Sequence, residues 1–330
     1  MPHLLIAGKM HPAGLALLHG VDDVTYDYVE EVSEPSYAPL ISKADGLVIR
    51  TQPLSAAIIA AARQLKIVSR HGVGYDAVDV AALNNRRIPL CIVDDVNSLS
   101  VAEHVVLLIL ACAKSLIRAD RSVRAGSWEW RNRLEATDIS GKRLLIVGYG
   151  RIGRHLARLA TGFGMEISAF DPLLAERGWP EGTVNPAPSL ADGLAWADVV
   201  SVNVPKAARP ILGVEEFALM KPGAILVNAA RGGIVDEAAL STALTEGRVI
   251  AAGLDVFDEE PPAPHHPLLD SDQVVLTPHI AGLTQQAAER MAGLFHSMRS
   301  TFSLVASTPT LIVNRDFRHG QTEASHRSHR

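Results

Sequence analysis

Cysteine is nearly absent: Cys91 and Cys112 are the two in 330 residues, both among apolar neighbours. So few thiols in so long a chain exclude a disulfide scaffold and point to reduced core residues in a cytoplasmic protein. An excess of charge of one sign is missing as well. The balance of 31 basic against 36 acidic side chains leaves −5, which gives no footprint for nucleic acid or anionic lipid. Long hydrophobic runs are also lacking. The longest, Val105–Ala113, is about half the roughly 18 residues a transmembrane helix requires. The N-terminal Met1-Pro-His-Leu-Leu-Ile-Ala-Gly-Lys has neither a basic leader nor a long apolar stretch, so no secretory signal is expected. What is abundant is apolar residue, at 48%, enough to offset the entropy of ordering the backbone. At about 150 residues per domain, the length predicts two domains.

Short β-rich runs alternate with helical patterns from end to end, as in stacked βαβ units with parallel sheets. In the first third the expected strands are His3–Ala7, Val24–Val29, Gly46–Arg50, Leu65–Ser69 and Ile88–Val93, with helices over Ser55–Ala62 and Asp76–Arg87. Ser100 and Glu103 match a capping box, and a single helix is expected from Val101 to about Arg124. Six further strands, near 143–148, 166–171, 199–204, 224–229, 250–255 and 274–277, suit a doubly wound sheet. Thr284–Leu304 reads as a helix, Thr310–Val313 as a short strand, and the polar segment after Arg315 as a tail. His319, His326 and His329 in that tail lack a positioning framework, so no metal site is expected.

The strand at Arg143 runs into Gly148-Tyr-Gly150-Arg-Ile-Gly153 and then a helical stretch. That is the strand, glycine turn and helix order of a dinucleotide site. Gly148 permits the tight turn, Gly150 clears the path of the pyrophosphate, Gly153 allows helix and strand to approach, and the helix N-terminus attracts the anion. The following strand ends at Asp171, whose carboxylate suits the ribose hydroxyls of NAD and repels the 2′-phosphate of NADP. A turn that merely ends a strand at Asp171-Pro172 is the plain alternative.

Later strands end in ionisable residues: Arg231 after Ile225-Leu-Val-Asn-Ala-Ala, Asp255 and Glu260 after Ala251-Ala-Gly-Leu, and His279 after Val275-Leu-Thr-Pro. Ligands of open α/β sheets bind at the carboxyl ends of strands, so three strands would deliver a guanidinium, carboxylates and an imidazole to one edge. That set suits hydride transfer to a 2-oxo acid. Arginine holds the substrate carboxylate through paired hydrogen bonds, imidazole exchanges a proton near neutral pH, and a neighbouring carboxylate stabilises the imidazolium. Taken singly, each residue also fits a turn, a cap or a solvated loop.

Four stretches carry a resemblance: Gly148-Tyr-Gly-Arg-Ile-Gly, Met220–Glu237 with its Asn-Ala-Ala-Arg-Gly-Gly, Gly253-Leu-Asp-Val-Phe-Asp-Glu-Glu-Pro, and Thr277-Pro-His-Ile-Ala-Gly. Over about Leu47–Arg290 the chain resembles the NAD-dependent D-2-hydroxyacid dehydrogenases, in the branch of phosphoglycerate dehydrogenase and hydroxypyruvate/glyoxylate reductase. The resemblance implies two doubly wound parallel-sheet domains: a flavodoxin-like substrate domain from 1–97 and 285–330, and a Rossmann NAD-binding domain from 98–284, with a cleft between them. It makes His279 the acid/base, Glu260 its carboxylate partner and Arg231 the substrate clamp. NAD contacts are implied at Gly148, Gly150, Arg151, Ile152, Gly153, Asp171, Val204, Pro205, Ala229, Ala230, Arg231, Asp255, His279 and Gly282, with Asp255 meeting the nicotinamide carboxamide. Substrate contacts are implied at Arg50, Thr51, Gly72, Val73, Gly74, Asn97, Arg231 and His279, and a homodimer contact around Trp128 and Trp130. No appended regulatory domain is expected. The chain departs from the family pattern at Asn203, where a His is common, and in a shorter Val204–Gly213 loop. An NAD-sensing corepressor-like protein and an NADPH-preferring reductase are the alternatives.

Overall fold

A computed structural model describes residues 1–10, 12, 15–16, 24–93, 95–180, 184–291, 312–314 and 317. The chain divides into two compact units, one from Met1–Val96 and Gln285–Arg330, the other from Asn97–Thr284.

In the first unit β1 (His3–Ala7), β2 (Thr25–Val29), β3 (Gly46–Ile49), β4 (Ile67–Arg70) and β5 (Leu90–Ile92) form a sheet of order β2-β1-β3-β4-β5. Every pairing is parallel, the flavodoxin-like doubly wound order. The strand sequences explain why. In His3-Leu-Leu-Ile-Ala, Leu5 and Ala7 enter one core with Leu47, Ile49 and Val68, while Ile6 joins Val48 on the opposite face. Side chains alternate across a strand, so a run apolar at every position requires cover on both faces, as parallel sheets have. The helices Ala56–Ala61 and Val80–Asn85 start at Ser55 and Asp79, whose side chains accept from Ile58 N and Ala82 N, satisfying amides that have no partner within the helix.

The second unit holds β6 (Arg143–Val147), β7 (Glu166–Phe170), β8 (Asn185–Pro186), β9 (Val199–Val202), β10 (Ala224–Asn228), β11 (Val249–Leu254) and β12 (Val274–Leu276). They are ordered β12-β11-β10-β9-β6-β7-β8, a Rossmann arrangement whose order reverses between β6 and β9. Ligands of such sheets bind at that reversal. Leu145 and Val147 face one core and Leu144 and Ile146 the other, each burial worth about 1.5–3 kcal/mol relative to exposure. The sheet has seven strands where six were expected. The extra one, β8, is two residues long, too short to leave an alternating pattern.

The single helix expected over Val101–Arg124 is two helices, Ser98–Ala113 and Leu116–Arg124, bent by 60° at Ser115, whose φ is +49°. No glycine or proline marks the break. Serine, which bonds readily to nearby backbone, sits there instead. No single helix among the described residues is long and apolar enough to cross a membrane. The capping box is not formed: the N-cap is Asn97, and Ser100 is buried with its hydroxyl 3.1 Å from that of Thr284. Residues 285–291 are helical, and the rest of the expected Thr284–Leu304 helix lies outside the described residues. So do Thr310 and Leu311 and the tail histidines His319, His326 and His329, while Ile312 bridges Cys91 in antiparallel fashion.

Candidate active site

The glycine turn follows β6. Gly148 has φ +93°, and a Cβ there would lie 2.6 Å from the Asn203 carbonyl oxygen and 2.7 Å from Val204 Cγ1, so the turn after β6 rests directly on the chain leaving β9. A Cβ at Gly153 would fall 2.4 Å from the Gly148 oxygen, whereas one at Gly150 would meet nothing within 4 Å. Open space therefore stands over Gly150 at the N-terminus of the Arg151–Gly162 helix, where the Ile152 and Gly153 amides have no acceptor within the helix. A dinucleotide pyrophosphate fits that cradle by shape and by charge. Pro205 continues the Val204 loop at the same strand end, exposed to solvent.

Asp171 ends β7 and does more than the sequence reading asks of it. Its Oδ1 accepts from Leu173 N and Leu174 N, capping the Pro172–Arg177 helix, and its Oδ2 accepts from Tyr149 N at 3.0 Å in the glycine turn. These are three of the roughly four acceptor sites of a carboxylate, which leaves capacity on Oδ2 for a ribose hydroxyl. The group thus fits NAD while also stapling the turn to β7.

Three neighbouring strand ends carry the ionisable set. After β10, Ala229 and Ala230 lead to Arg231, whose Nη1 donates to the Ala230 carbonyl at 2.6 Å. After β12, His279 Nδ1 lies 2.7 Å from Glu260 Oε2. Glu260 Oε1 in turn accepts from Phe257 N at 3.1 Å, so the carboxylate is fixed by its own loop. An ionised carboxylate only accepts, so Nδ1 carries the proton of that bond and Nε2 is the nitrogen turned to chemistry. The imidazole is half exposed. It sits on a backbone of φ +53°, a left-handed conformation that costs a non-glycine residue about 1–3 kcal/mol and gathers at functional sites. The pair also borders a largely apolar cavity of about 460 Å³ lined by Phe257, Pro261, Pro262, Leu269, Leu276 and Pro278.

Asp255 follows β11, where the sequence reading puts it, but is turned inward. It is fully buried, with Oδ1 accepting from Thr277 Oγ1 at 2.5 Å and Ile280 N at 2.9 Å, and Oδ2 from Ala281 N at 2.8 Å. A direct contact with a nicotinamide carboxamide would require those residues to move. What the carboxylate does here is pin the loop that carries His279. His104, on the Ser98–Ala113 helix, places Nε2 3.0 Å from Thr277 Oγ1. Because that hydroxyl spends its proton on Asp255, the imidazole must donate. Gly282 lies against Asn97, whose Nδ2 would be 2.6 Å from a Cβ at that position, and Asn97 itself falls in this second unit.

Arg50 follows β3 and Arg70 ends β4, with Ile49 opposite Arg70 in register. Arg50 Nη1 donates to Lys9 O, and Arg70 Nη1 to His71 O, both at 2.9 Å. The Arg70 guanidinium lies along Gly72, 2.9 Å from where a Cβ would stand. Thr51 donates its amide to Gln52 Oε1 at 3.1 Å, and Gly72, Val73 and Gly74 form the partly exposed loop after β4. Burial, reinforced by Arg50 and Arg70, pushes the His71 imidazole down to about 4. Residue patterns flagged neither the buried Asn228 nor the half-buried His104 and Thr277 as separate site members. Their only signal was a polar residue at an otherwise apolar strand end or helix face.

Residues 106–281 match the family described as D-isomer specific 2-hydroxyacid dehydrogenase, NAD binding domain. The chain is 42% identical over 254 residues to a D-3-phosphoglycerate dehydrogenase of Archaeoglobus fulgidus, covering 75% of this chain and 47% of that protein. It is 38% identical over 267 residues to a hydroxypyruvate reductase of Thermotoga maritima, covering 79% and 86%. The chain spans about half the length of the phosphoglycerate dehydrogenases it matches. Among solved structures, an NADPH-dependent glyoxylate/hydroxypyruvate reductase of Sinorhizobium meliloti shares 30% identity at a TM-score of 0.79, over 92% of this chain and 95% of that one.

Proposed function

The chain belongs to the D-isomer specific 2-hydroxyacid dehydrogenase family, and from that premise we propose that it is an NAD-dependent oxidoreductase interconverting small D-2-hydroxy acids and 2-oxo acids. The observation that carries this reading is the His279 Nδ1 bond to Glu260, 2.7 Å long, at strand ends next to that of Arg231. NADH bound at the glycine turn would supply a hydride from C4 of its nicotinamide to C2 of the acid. Arg231 holds the substrate carboxylate with its guanidinium and polarises the adjoining carbonyl. His279, as imidazolium, gives its Nε2 proton to the carbonyl oxygen as the alkoxide forms, and takes it back in the reverse direction. Glu260 keeps the ring in orientation and offsets its positive charge. The transferred hydride and proton balance the reduction of C=O to CH–OH.

Asp171 favours NAD, since a carboxylate beside the ribose opposes a 2′-phosphate. In the first unit, two guanidiniums at adjacent strand ends, with a glycine loop beside them, suit an anionic acid. This supports Arg50, Thr51, Gly72, Val73 and Gly74 as substrate contacts and a phosphorylated or short 2-oxo acid as the ligand. Asn97, beside Gly282, supports both as members of the same binding region. A homodimer is supported by Trp128, 64% exposed on the Trp128–Arg133 turn, where an aromatic anchor would be covered by a second copy. A cytoplasmic location accords with two free, buried thiols.

The test is NADH oxidation with glyoxylate, hydroxypyruvate and phosphohydroxypyruvate, repeated with NADPH. Turnover with at least one acid, favouring NADH, is expected. Tight NADH binding with no turnover of any acid would refute the proposal.

A further inference from the structure

Two buried polar residues end neighbouring strands of the second unit, and neither belongs to the acid/base pair. Asn228, the last residue of β10, is 2% exposed, and Asp255, directly after β11, is 0% exposed. A buried amide is costly unless both of its ends are bonded. Asn228 meets that condition within its own loop: Oδ1 accepts from Ala230 N at 3.0 Å, and Nδ2 donates to the Arg231 carbonyl at 3.0 Å. The partners decide which end of the amide is which, because a backbone N–H only donates and a carbonyl only accepts. The bracket thus fixes the backbone on both sides of Ala230, whose carbonyl is the one that receives the Arg231 guanidinium at 2.6 Å.

The same two residues join the arginine loop to the histidine loop. Asp255 N donates to Asn228 O at 3.0 Å, and His279 N donates to Asp255 O at 2.8 Å. From the Arg231 carbonyl to the His279 amide the connection therefore runs through one side-chain amide and two main-chain hydrogen bonds, by way of the buried Asn228 and Asp255.

We propose that Asn228 is a positioning residue: its side-chain amide sets the guanidinium of Arg231 in register with the imidazole of His279. The proposal rests on the reading of Arg231 as the carboxylate clamp. Asn228 is 2% exposed and spends both ends of its amide on its own loop. It acts through Arg231, so its loss should appear where Arg231 acts and nowhere else. A shifted clamp weakens capture of the acid, since a misplacement of an ångström at a positioning group is enough to cost rate. The glycine turn after β6 is left as it was.

The experiment is a double-substitution cycle on the full chain. Asn228→Ala removes both bonds, and Asn228→Ser keeps an acceptor for Ala230 N while losing the donor to Arg231 O. Each is combined with Arg231→Lys. In the otherwise unaltered chain, Asn228→Ala should lower kcat/KM for the best 2-oxo acid about tenfold or more, chiefly through KM, with NADH Kd rising by a clearly smaller factor. In the Arg231→Lys chain the same substitution should cost less than about threefold, because residues acting as a unit are not additive. An equal fall in both backgrounds, or a fall in NADH affinity to match, overturns the proposal, since a merely structural role would produce either. Should Asn228→Ala fail to fold, Asn228→Ser is read through the same cycle. An unaltered chain that turns over no 2-oxo acid overturns the clamp reading and this inference with it, whereas an active chain with an additive cycle overturns this inference alone.

Discussion

His71→Phe offers the sharpest measurement on the first unit. His71 is 8% exposed, and burial first, then the Arg50 and Arg70 guanidiniums, push its imidazole from the usual 6.5 to about 4. Below pH 6.5 the unfolded chain takes up a proton that folded His71 refuses, so falling pH favours unfolding until the folded group itself protonates near pH 4. At 1.36 kcal/mol per unit, the penalty is about 2 kcal/mol at pH 5 and approaches about 3 kcal/mol near pH 4. Phenylalanine keeps a ring of similar size and has no proton to bind, so the parent should lose about 2 kcal/mol relative to His71→Phe between pH 7 and pH 5. All four tryptophans, Trp128, Trp130, Trp179 and Trp196, lie in the second unit. The first-unit transition in urea is therefore followed by the amide signals of β3 and β4, separately from the second. A stability difference between parent and variant that stays flat across this window would refute the reasoning.

At the candidate active site, His279→Ala should lower kcat at least about 100-fold with NADH affinity retained, as read from NADH oxidation and equilibrium titration. Asp171→Ser keeps a helix-capping oxygen but removes the carboxylate. It should raise the NADPH-to-NADH ratio of kcat/KM about tenfold or more and cost about 1 kcal/mol of stability with the Tyr149 bond, while Asp171→Ala should lose about 1 kcal/mol more with the cap. Gly148→Ala places a Cβ 2.6 Å from the Asn203 carbonyl oxygen on a backbone of φ +93°. It should cost about 2 kcal/mol or more in thermal unfolding and abolish measurable NADH binding.

Strand positions were legible in the sequence because parallel strands buried on both faces read as short unbroken apolar runs, such as Leu144–Val147 and Ala224–Val227. The glycine turn was legible because each glycine answers a distinct steric demand. Less legible was whatever depends on tertiary partners. Ser100 matched a cap by spacing, yet Thr284, far along the chain, claims its hydroxyl. Ser115 gave no warning of the helix break, since serine is common within helices and its left-handed backbone carries no signature like that of glycine. The family resemblance implies Asp255 as a nicotinamide contact, whereas its full burial beneath Thr277, Ile280 and Ala281, all of which donate to it, leaves no trace in the sequence. Asn228 stands in the quoted Asn-Ala-Ala-Arg-Gly-Gly stretch, but no role could be assigned to it there, because what it bonds is its own loop.

The outermost strand of the larger sheet, β8, bears on how the protein behaves in a crowded solution. It pairs with β7 through Asn185 and Pro186 alone, and the Asn185 carbonyl also receives the Ser168 hydroxyl at 2.9 Å. Proline brings no N–H, so this margin presents almost nothing onto which a stray strand from another molecule could zip. The sheet resists sideways growth here by its own chemistry, and a two-residue strand becomes a guard against aggregation.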